Sequence, residues 1–497
     1  MTDNPGQGHP AQATSRREAI KLVSATALGG ACAVALPLAA SAQLFTAHNR
    51  LAIPPLIDSR RANNDIRLAM AEHQHAFFPN KWSRTGGFGR SFLGPAIRLY
   101  RGDDTRLRFE NQLREATSVH GHGLHVPGWL DGGPQSEIEP GETWDISLPI
   151  RQQASTNWYH PHLHGSTSRQ VHSGLAGLYL IEDENSMSLP LPKDYGLDDI
   201  PLIVQDRDFE AGIMVPYQAS RREMKNGKRE DTVIVNGTVN PFVTVPKGWV
   251  RLRLLNGSNA RFYEFHLAGG ERFYKIATEG GFLDEPVAVT SLRMVPGERN
   301  EIMVNLSDGK TRQLLARMVP LDDDWLDELF PRTARVLQIR VDEAKRGQGR
   351  LPARLNTIER LQREDARVVR TFRLQMEHRG RGGHGMHAMS AINDKAMDPG
   401  RIDERVRKGD VEIWRIKRDE MDHPFHVHGT SFQILSQRGR SPRPAETGWK
   451  DTVEVDWGWT ELIMKFEHEA NDQFPFMYHC HILEHEDGGM MGQFTVT

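Results

Sequence analysis

Three times along the chain a short apolar strand runs into a basic turn closed by glycine and leaves it as a second, alternating strand. Ala96-Ile97-Arg98-Leu99-Tyr100-Arg101-Gly102-Asp103 leads into Leu107-Arg108-Phe109. Val243-Thr244-Val245-Pro246-Lys247-Gly248-Trp249 leads into Val250-Arg251-Leu252-Arg253-Leu254, and Val406-Arg407-Lys408-Gly409-Asp410 into Val411-Glu412-Ile413-Trp414-Arg415-Ile416. Alternation of period two marks strands with one buried face, and each unit reads as a hairpin. The turn glycines lie 146 and 161 residues apart, a normal domain length. A chain of 497 residues is too long for a single core. Short strands punctuated by Gly, Pro and Asn turns predict an all-β protein of three β-sandwich domains, placed at 43–185, 186–345 and 346–497. The highly charged stretch 343–370 is expected as a linker with a short surface helix.

Residues 1–42 stand outside this repeat. Ser15-Arg16-Arg17-Glu18-Ala19-Ile20-Lys21 precedes an uncharged, Ala/Leu/Val-rich run over 22–38, and Ala40-Ser41-Ala42 follows as a small-residue cleavage site. The pattern resembles a twin-arginine export signal, with Ala19 in place of the usual bulky residue. About 17 apolar residues are short for a membrane anchor. The mature chain is therefore expected in the periplasm, exported folded and free of the membrane. Cys32 leaves with the signal, so Cys480 stands alone and no internal disulfide can form. A hydrophobic content of 38%, 26% charged residues and a formal net charge of −3 fit a soluble globular protein. No basic run is long enough to grip nucleic acid, which excludes that class of partner.

The unusual count is 22 His. At that frequency a His-x-His pair arises about once by chance, and His73-Gln74-His75 is assigned no role. Four denser clusters remain: His120-Gly121-His122, His160-Pro161-His162, His423-Pro424-Phe425-His426-Val427-His428 and His479-Cys480-His481. A spacing of two on a strand puts both rings on one face about 7 Å apart, awkward for one ion and suited to two neighbouring ions. Eight imidazoles around three metal ions is a sensible coordination number, with half the ligands from the first domain and half from the third. Cys480, between two of these histidines, points to the opposite strand face. With His423, with His485 five residues on and with Met490 ten residues on, it offers the ligand set of a blue-copper electron-transfer centre. Zinc is the competing metal, but it favours closed tetrahedral sets and cannot cycle electrons.

At this point the residues resemble the multicopper oxidase family, from the first domain to the end of the chain. Val119-His120-Gly121-His122-Gly123-Leu124, Trp158-Tyr159-His160-Pro161-His162, His423-Pro424-Phe425-His426-Val427-His428-Gly429 and the run from His479 through Met490 match its four copper motifs. Gly121 departs from the aromatic residue often found between the first two histidines. The resemblance implies cupredoxin-like Greek-key sandwiches and a cofactor of four copper ions. His423, Cys480, His485 and Met490 resemble the type 1 ligands, and His120 and His426 the type 2 pair. His122, His160, His162, His428, His479 and His481 resemble the six ligands of the binuclear type 3 pair, while His125 and His164 match no ligand position. Two bacterial relatives are similar in texture. The periplasmic cuprous oxidases of copper tolerance are similar around Gly448-Trp449-Lys450-Asp451-Thr452-Val453. The copper-free cell-division protein of the same fold is similar at Leu148-Pro149-Ile150-Arg151-Gln152 and at Gly248-Trp249-Val250-Arg251-Leu252.

The family's chemistry couples four one-electron oxidations at the type 1 copper to reduction of O2 to water at the other three ions. Protons must reach buried oxygen, and Asp131 and Glu486 resemble the family's proton-relay acids. Asp419 and Met421 match the offsets of a cuprous-ion site, and a Met/His-containing, Gly-rich loop holds Met376, His378, His384, Met386, His387, Met389 and Met397. The expected partners are O2 and a small reductant, either a phenol or aromatic amine as for a laccase or Cu(I), with the protein acting as a monomer. The rival class is a non-enzymatic scaffold, in which the fold persists without its copper ligands.

Overall fold

The computed structural model describes residues 48–320, 332–376 and 390–497. The export signal with Cys32, and His378, His384, Met386, His387 and Met389 of the Gly-rich loop, lie outside the described residues. Strands dominate, gathered into paired sheets that enclose three hydrophobic cores. No helix among the described residues is long and apolar enough to cross a membrane.

The first core includes Ile66, Leu107, Phe109, Tyr159 and Tyr179. It lies between a four-stranded sheet containing Asp104–Asn111 and a five-stranded sheet containing Ala96–Tyr100, Ser155–His160 and His120–His122. In Asp104–Asn111 burial alternates without a break, so Thr105, Leu107, Phe109 and Asn111 point inward, as the period-two pattern requires. The second core lies between sheets of six and seven strands, and the third, centred on Trp414, Phe425, Tyr478 and Phe494, between two sheets of five.

The three repeated units are present, but they are corners and not hairpins. Ala96–Tyr100 and Asp104–Asn111 belong to opposite sheets of the first sandwich. The same holds for Pro241–Lys247 with Trp249–Asn256, and for Glu404–Val406 with Val411–Arg418. In each unit the second strand has one parallel and one antiparallel neighbour, so the three sandwiches share one topology. Period two identifies the inward face but does not say which sheet a strand joins. Gly102, Gly248 and Gly409 carry φ of 98°, 140° and 87°, and this positive φ turns the chain from one layer into the other.

Two further features differ from expectation. Strand Asn49–Arg50 pairs with Pro241 and Phe242, so the first described strand belongs to the second sandwich, where Leu51 is buried. The charged stretch 343–370 holds no α-helix. It continues strand Thr333–Arg346, buries Leu355 in a seam with Ala154 and Ile276, and makes a single 3-10 turn at Arg363–Asp365. Leu355 anchors the stretch against its neighbours, and that tether favours extended chain.

A methyl group added at Gly409 would meet no atom within 4 Å, so substitution there tests backbone conformation alone. Gly409→Ala is expected to destabilise the protein by about 1–2 kcal/mol, read as a lower denaturation midpoint. An unchanged midpoint would mean the corner does not depend on glycine.

Candidate metal centres

Strand register brings the histidine pairs together. His120 is in register with His160 on neighbouring strands of the first sandwich, and His426 with His479 in the third. The two sets face each other: the ring of His120 stacks on His428 at 3.8 Å between centroids and that of His122 on His426 at 3.7 Å. His162 lies 4.9 Å from His479, and His481 lies 5.0 Å from His122. All eight expected cavity ligands converge, and each is at most 1% exposed.

The outward nitrogens of these rings decide what the inward ones can do. His120 Nδ1 donates to Asp131 O at 2.8 Å, His160 Nδ1 to Pro161 O at 2.8 Å and His426 Nδ1 to Asp451 O at 2.8 Å. Each ring therefore turns a bare Nε2, buried and without a partner, into the cavity. His122 is held the other way round: Nε2 donates to Asp451 Oδ1 at 3.2 Å, leaving Nδ1 as the buried, unpartnered atom. The Nε2 atoms of His162 and His428 each lie 3.2 Å from His479 Nε2. Both nitrogens of His481 are without a partner. Desolvated lone pairs aimed at one point are costly alone, and ligand histidines anchored through their other N–H are the arrangement a metal site uses.

Burial holds the rings of His122, His160, His162, His426, His428 and His479 well below the usual imidazole range and that of His481 down to about 3. Neutral imidazole is the ligating form.

On the other face of the strand Phe476–Cys480 lies a second donor set. Cys480 Sγ is 3.4 Å from His423 Nδ1 and 3.5 Å from His485 Nδ1, and the two nitrogens are 3.3 Å apart. The centre of that triangle is about 2 Å from each corner, close to ordinary metal–imidazole and metal–thiolate bond lengths. His485 sits in the short helix Leu483–Asp487. The backbone of Met490 bonds both partners: its N–H donates to His485 O at 2.8 Å and its carbonyl accepts from Cys480 N at 3.1 Å. The residues therefore fit copper at both centres.

The two expected relay acids have matching placements. Asp131 Oδ2 lies 2.7 Å from His428 Nδ1 and 3.4 Å from His120 Nδ1. Glu486 bridges His162 Nδ1 and His479 Nδ1, at 3.4 Å each. Burial pushes the Glu486 carboxyl well above the carboxylate range. Asp419 and Met421 are placed differently. Asp419 Oδ2 is paired with Arg373 Nη2 at 2.5 Å, and Met421 is buried in the third core. His125 bonds Ser431 Oγ at 2.9 Å and stands apart from both centres, while His73 and His75 lie on a strand of the first sandwich's four-stranded sheet.

Several residues that contact the centres are not among the expected site residues. Trp158 stacks on His160 at 4.0 Å, Ser118 Oγ accepts the N–H of His162 at 3.0 Å, and Asp451 anchors both His122 and His426. His485 donates through Nε2 to Lys225 O at 2.9 Å, so the helix Arg221–Asn226 covers the edge of that ring. Trp158 could have been suspected from its place two residues before His160, but the others act across long stretches of chain.

Three sandwiches of this topology define a cupredoxin-type fold. Multicopper oxidase family models match residues 70–186 and 369–497. Cell division protein FtsP of Xenorhabdus nematophila is 37% identical over 466 residues, covering 94% of this chain and 96% of that protein. Multicopper oxidase mco of Staphylococcus aureus is 34% identical over 457 residues, covering 90% of this chain and 93% of that one. Among solved structures, the laccase-like multi-copper oxidase CueO from Ochrobactrum sp. superposes with a TM-score of 0.83 at 38% identity, covering 90% of this chain and 100% of that one. The chain belongs to the multicopper oxidase family.

Because these rings are neutral when folded, the unfolded chain binds more protons below about pH 6.5. The lowered values of His122, His160, His162, His426, His428, His479 and His481, and of His423 and His485 (the latter about 4), act together. Carboxyls raised by burial, Glu486 and, to about 7, Glu484 and Glu279 among them, act in the opposite sense, but among the described residues more histidines are lowered than carboxyls are raised. Metal-free protein should lose melting temperature steadily as pH falls from about 6.5 toward 4. A flat profile in calorimetry would show that the rings are already charged or hydrated in the folded state.

Proposed function

We propose that this chain is an exported, periplasmic copper oxidase that couples four one-electron oxidations of a small organic reductant to reduction of O2 to water. The observation that carries this reading is the convergence of eight buried imidazoles, six of them anchored through an outward N–H, on one side of a strand and a His-Cys-His triangle on the other. When bound, copper supplies one-electron acceptance at the thiolate site and dioxygen reduction in the histidine cavity. The chain's own residues do the rest. Cys480 lies between His479 and His481, so the backbone joins the two centres directly. Asp131 holds one carboxyl oxygen against two ring nitrogens and Glu486 holds one oxygen against each of two others, which supports proton delivery by both acids at the cavity wall. The cover over His485 makes the Lys225 peptide the point of electron entry, which suits diffusible donors that need not touch the ring.

Two residues of the expected cuprous-ion site bear on the substrate class. A phenolic or aromatic amine donor is favoured over Cu(I), because Asp419 is already engaged by Arg373 and Met421 is packed in a core. The similar Ochrobactrum oxidase acts on lignin model compounds and lignosulfonate. Comparing phenol and Cu(I) turnover before and after Met421→Leu tests this. Little change in either rate is expected, whereas selective loss of Cu(I) oxidation would restore the cuprous site.

A scaffold reading draws on the cell-division relatives. It would leave the inward nitrogens desolvated with nothing to bind, and metal analysis separates the two readings. Copper-loaded protein should hold about four ions per chain and show the intense blue thiolate band. Asp131→Asn should keep that band and its anaerobic bleaching by a phenol while oxygen uptake falls on the order of 100-fold. Uptake of no more than one ion by the unmodified protein would end the oxidase reading, and undiminished oxygen uptake would remove Asp131 from it.

A further inference from the structure

The second sandwich contributes none of the expected ligands to the histidine cavity, yet one of its side chains reaches the cavity's edge. Arg299 begins the strand Arg299–Asn305 and is fully buried. A guanidinium has five N–H donors, and here all are engaged. Nε donates to Thr156 O at 3.0 Å. Nη1 donates to Gly297 O at 3.1 Å and to Asp451 Oδ1 at 2.7 Å, and Nη2 to Asn157 Oδ1 at 2.8 Å and Asp451 Oδ2 at 2.6 Å. One side chain thus ties the strand carrying His160 to the segment that anchors His122 and His426.

Asp451 is the other half of the device. Its Oδ1 accepts from His122 Nε2 and from Thr452 Oγ at 2.9 Å, while its backbone oxygen accepts from His426 Nδ1. Gly123, directly after His122, leaves room for this arrangement: a Cβ there would lie 2.4 Å from Arg299 Nη2 and 2.7 Å from Asp451 Oδ2.

We propose that Arg299 is a positioning residue for the oxygen-reducing cavity, acting through Asp451 to fix which nitrogen of His122 faces the metal and how His426 is turned. The inference rests on the copper-loaded reading above. His122 presents Nδ1 inward where His120, His160 and His426 present Nε2. A half-turn of its ring would bring Nε2 to the inward side and take Nδ1 to the outward one. That turn is opposed by a hydrogen bond to an anionic acceptor, whose own plane is clamped by a two-point guanidinium contact. Lysine, whose three N–H donors share one nitrogen on a flexible stem, cannot span Asp451, Thr156 O and Asn157 as the guanidinium fork does. The second sandwich therefore sets the geometry of a site to which it donates no ligand.

The test uses full-length, copper-loaded protein and the variants Arg299→Lys and Asp451→Asn, read by copper content, the blue band, the EPR spectrum of the cavity copper and melting temperature. Both variants should keep the blue band and the ion at the thiolate site. Copper affinity of the cavity should weaken by about 10- to 100-fold, with an altered EPR spectrum. A full copper complement with an unaltered spectrum in both variants would overturn the proposal. So would loss of the blue band together with the cavity ions and a collapsed melting transition, which would make the network a folding element only. Failure of the unmodified protein to take up copper would strike the oxidase reading itself, whereas equal loading of unmodified protein and variants would strike this inference alone.

Discussion

The structure turns on how each buried imidazole disposes of its N–H. A neutral ring has one donor and one acceptor, and in a dry interior the donor must be satisfied. Six of the eight cavity rings spend that donor outward on Asp131, Pro161, Asp451 or Cys480, either on a backbone oxygen or on a carboxylate. Once the donor is fixed the acceptor has only one direction left, which is inward. The cavity's chemistry is therefore written in the shell behind the rings, which combines backbone oxygens at strand ends with Asp131 of the short helix Gly128–Asp131 and the Asp451 carboxylate.

Sheet register then does what local sequence cannot. The pairing of His120 with His160, and of His426 with His479, sets four rings to within a residue's rise. The opposite-face rule for strands separates Cys480 from its neighbours, so one five-residue strand serves two centres. The Cys480 triangle also borrows from the short helix Leu483–Asp487, whose single turn carries His485 back under Cys480.

Much of this was legible in the chain. Period-two spacing announced that paired histidines share a face and that Cys480 opposes them, and the spaced glycines announced three copies of one sandwich. What period two could not convey is partnership between distant strands, and so the repeated units read as hairpins when they are corners between layers. The same limit hid Arg299 and Asp451, 152 positions apart. Neither stands at a telling offset from a histidine, and each acquires its role only where three sandwiches meet. Lys225 escaped notice for a different reason: it acts through its peptide oxygen, which every residue has.

One consequence follows from the division of the eight cavity histidines between 120–162 and 426–481. Neither half holds all eight rings, and Arg299 of the intervening sandwich bonds to Thr156 in one and to Asp451 in the other. A ribosome must finish almost the whole polypeptide, and all three layers must dock, before the pocket exists. On the oxidase reading proposed above, ion capture would be the last act of assembly, so a truncated or half-folded chain would have no closed cage in which to hoard a redox-active metal.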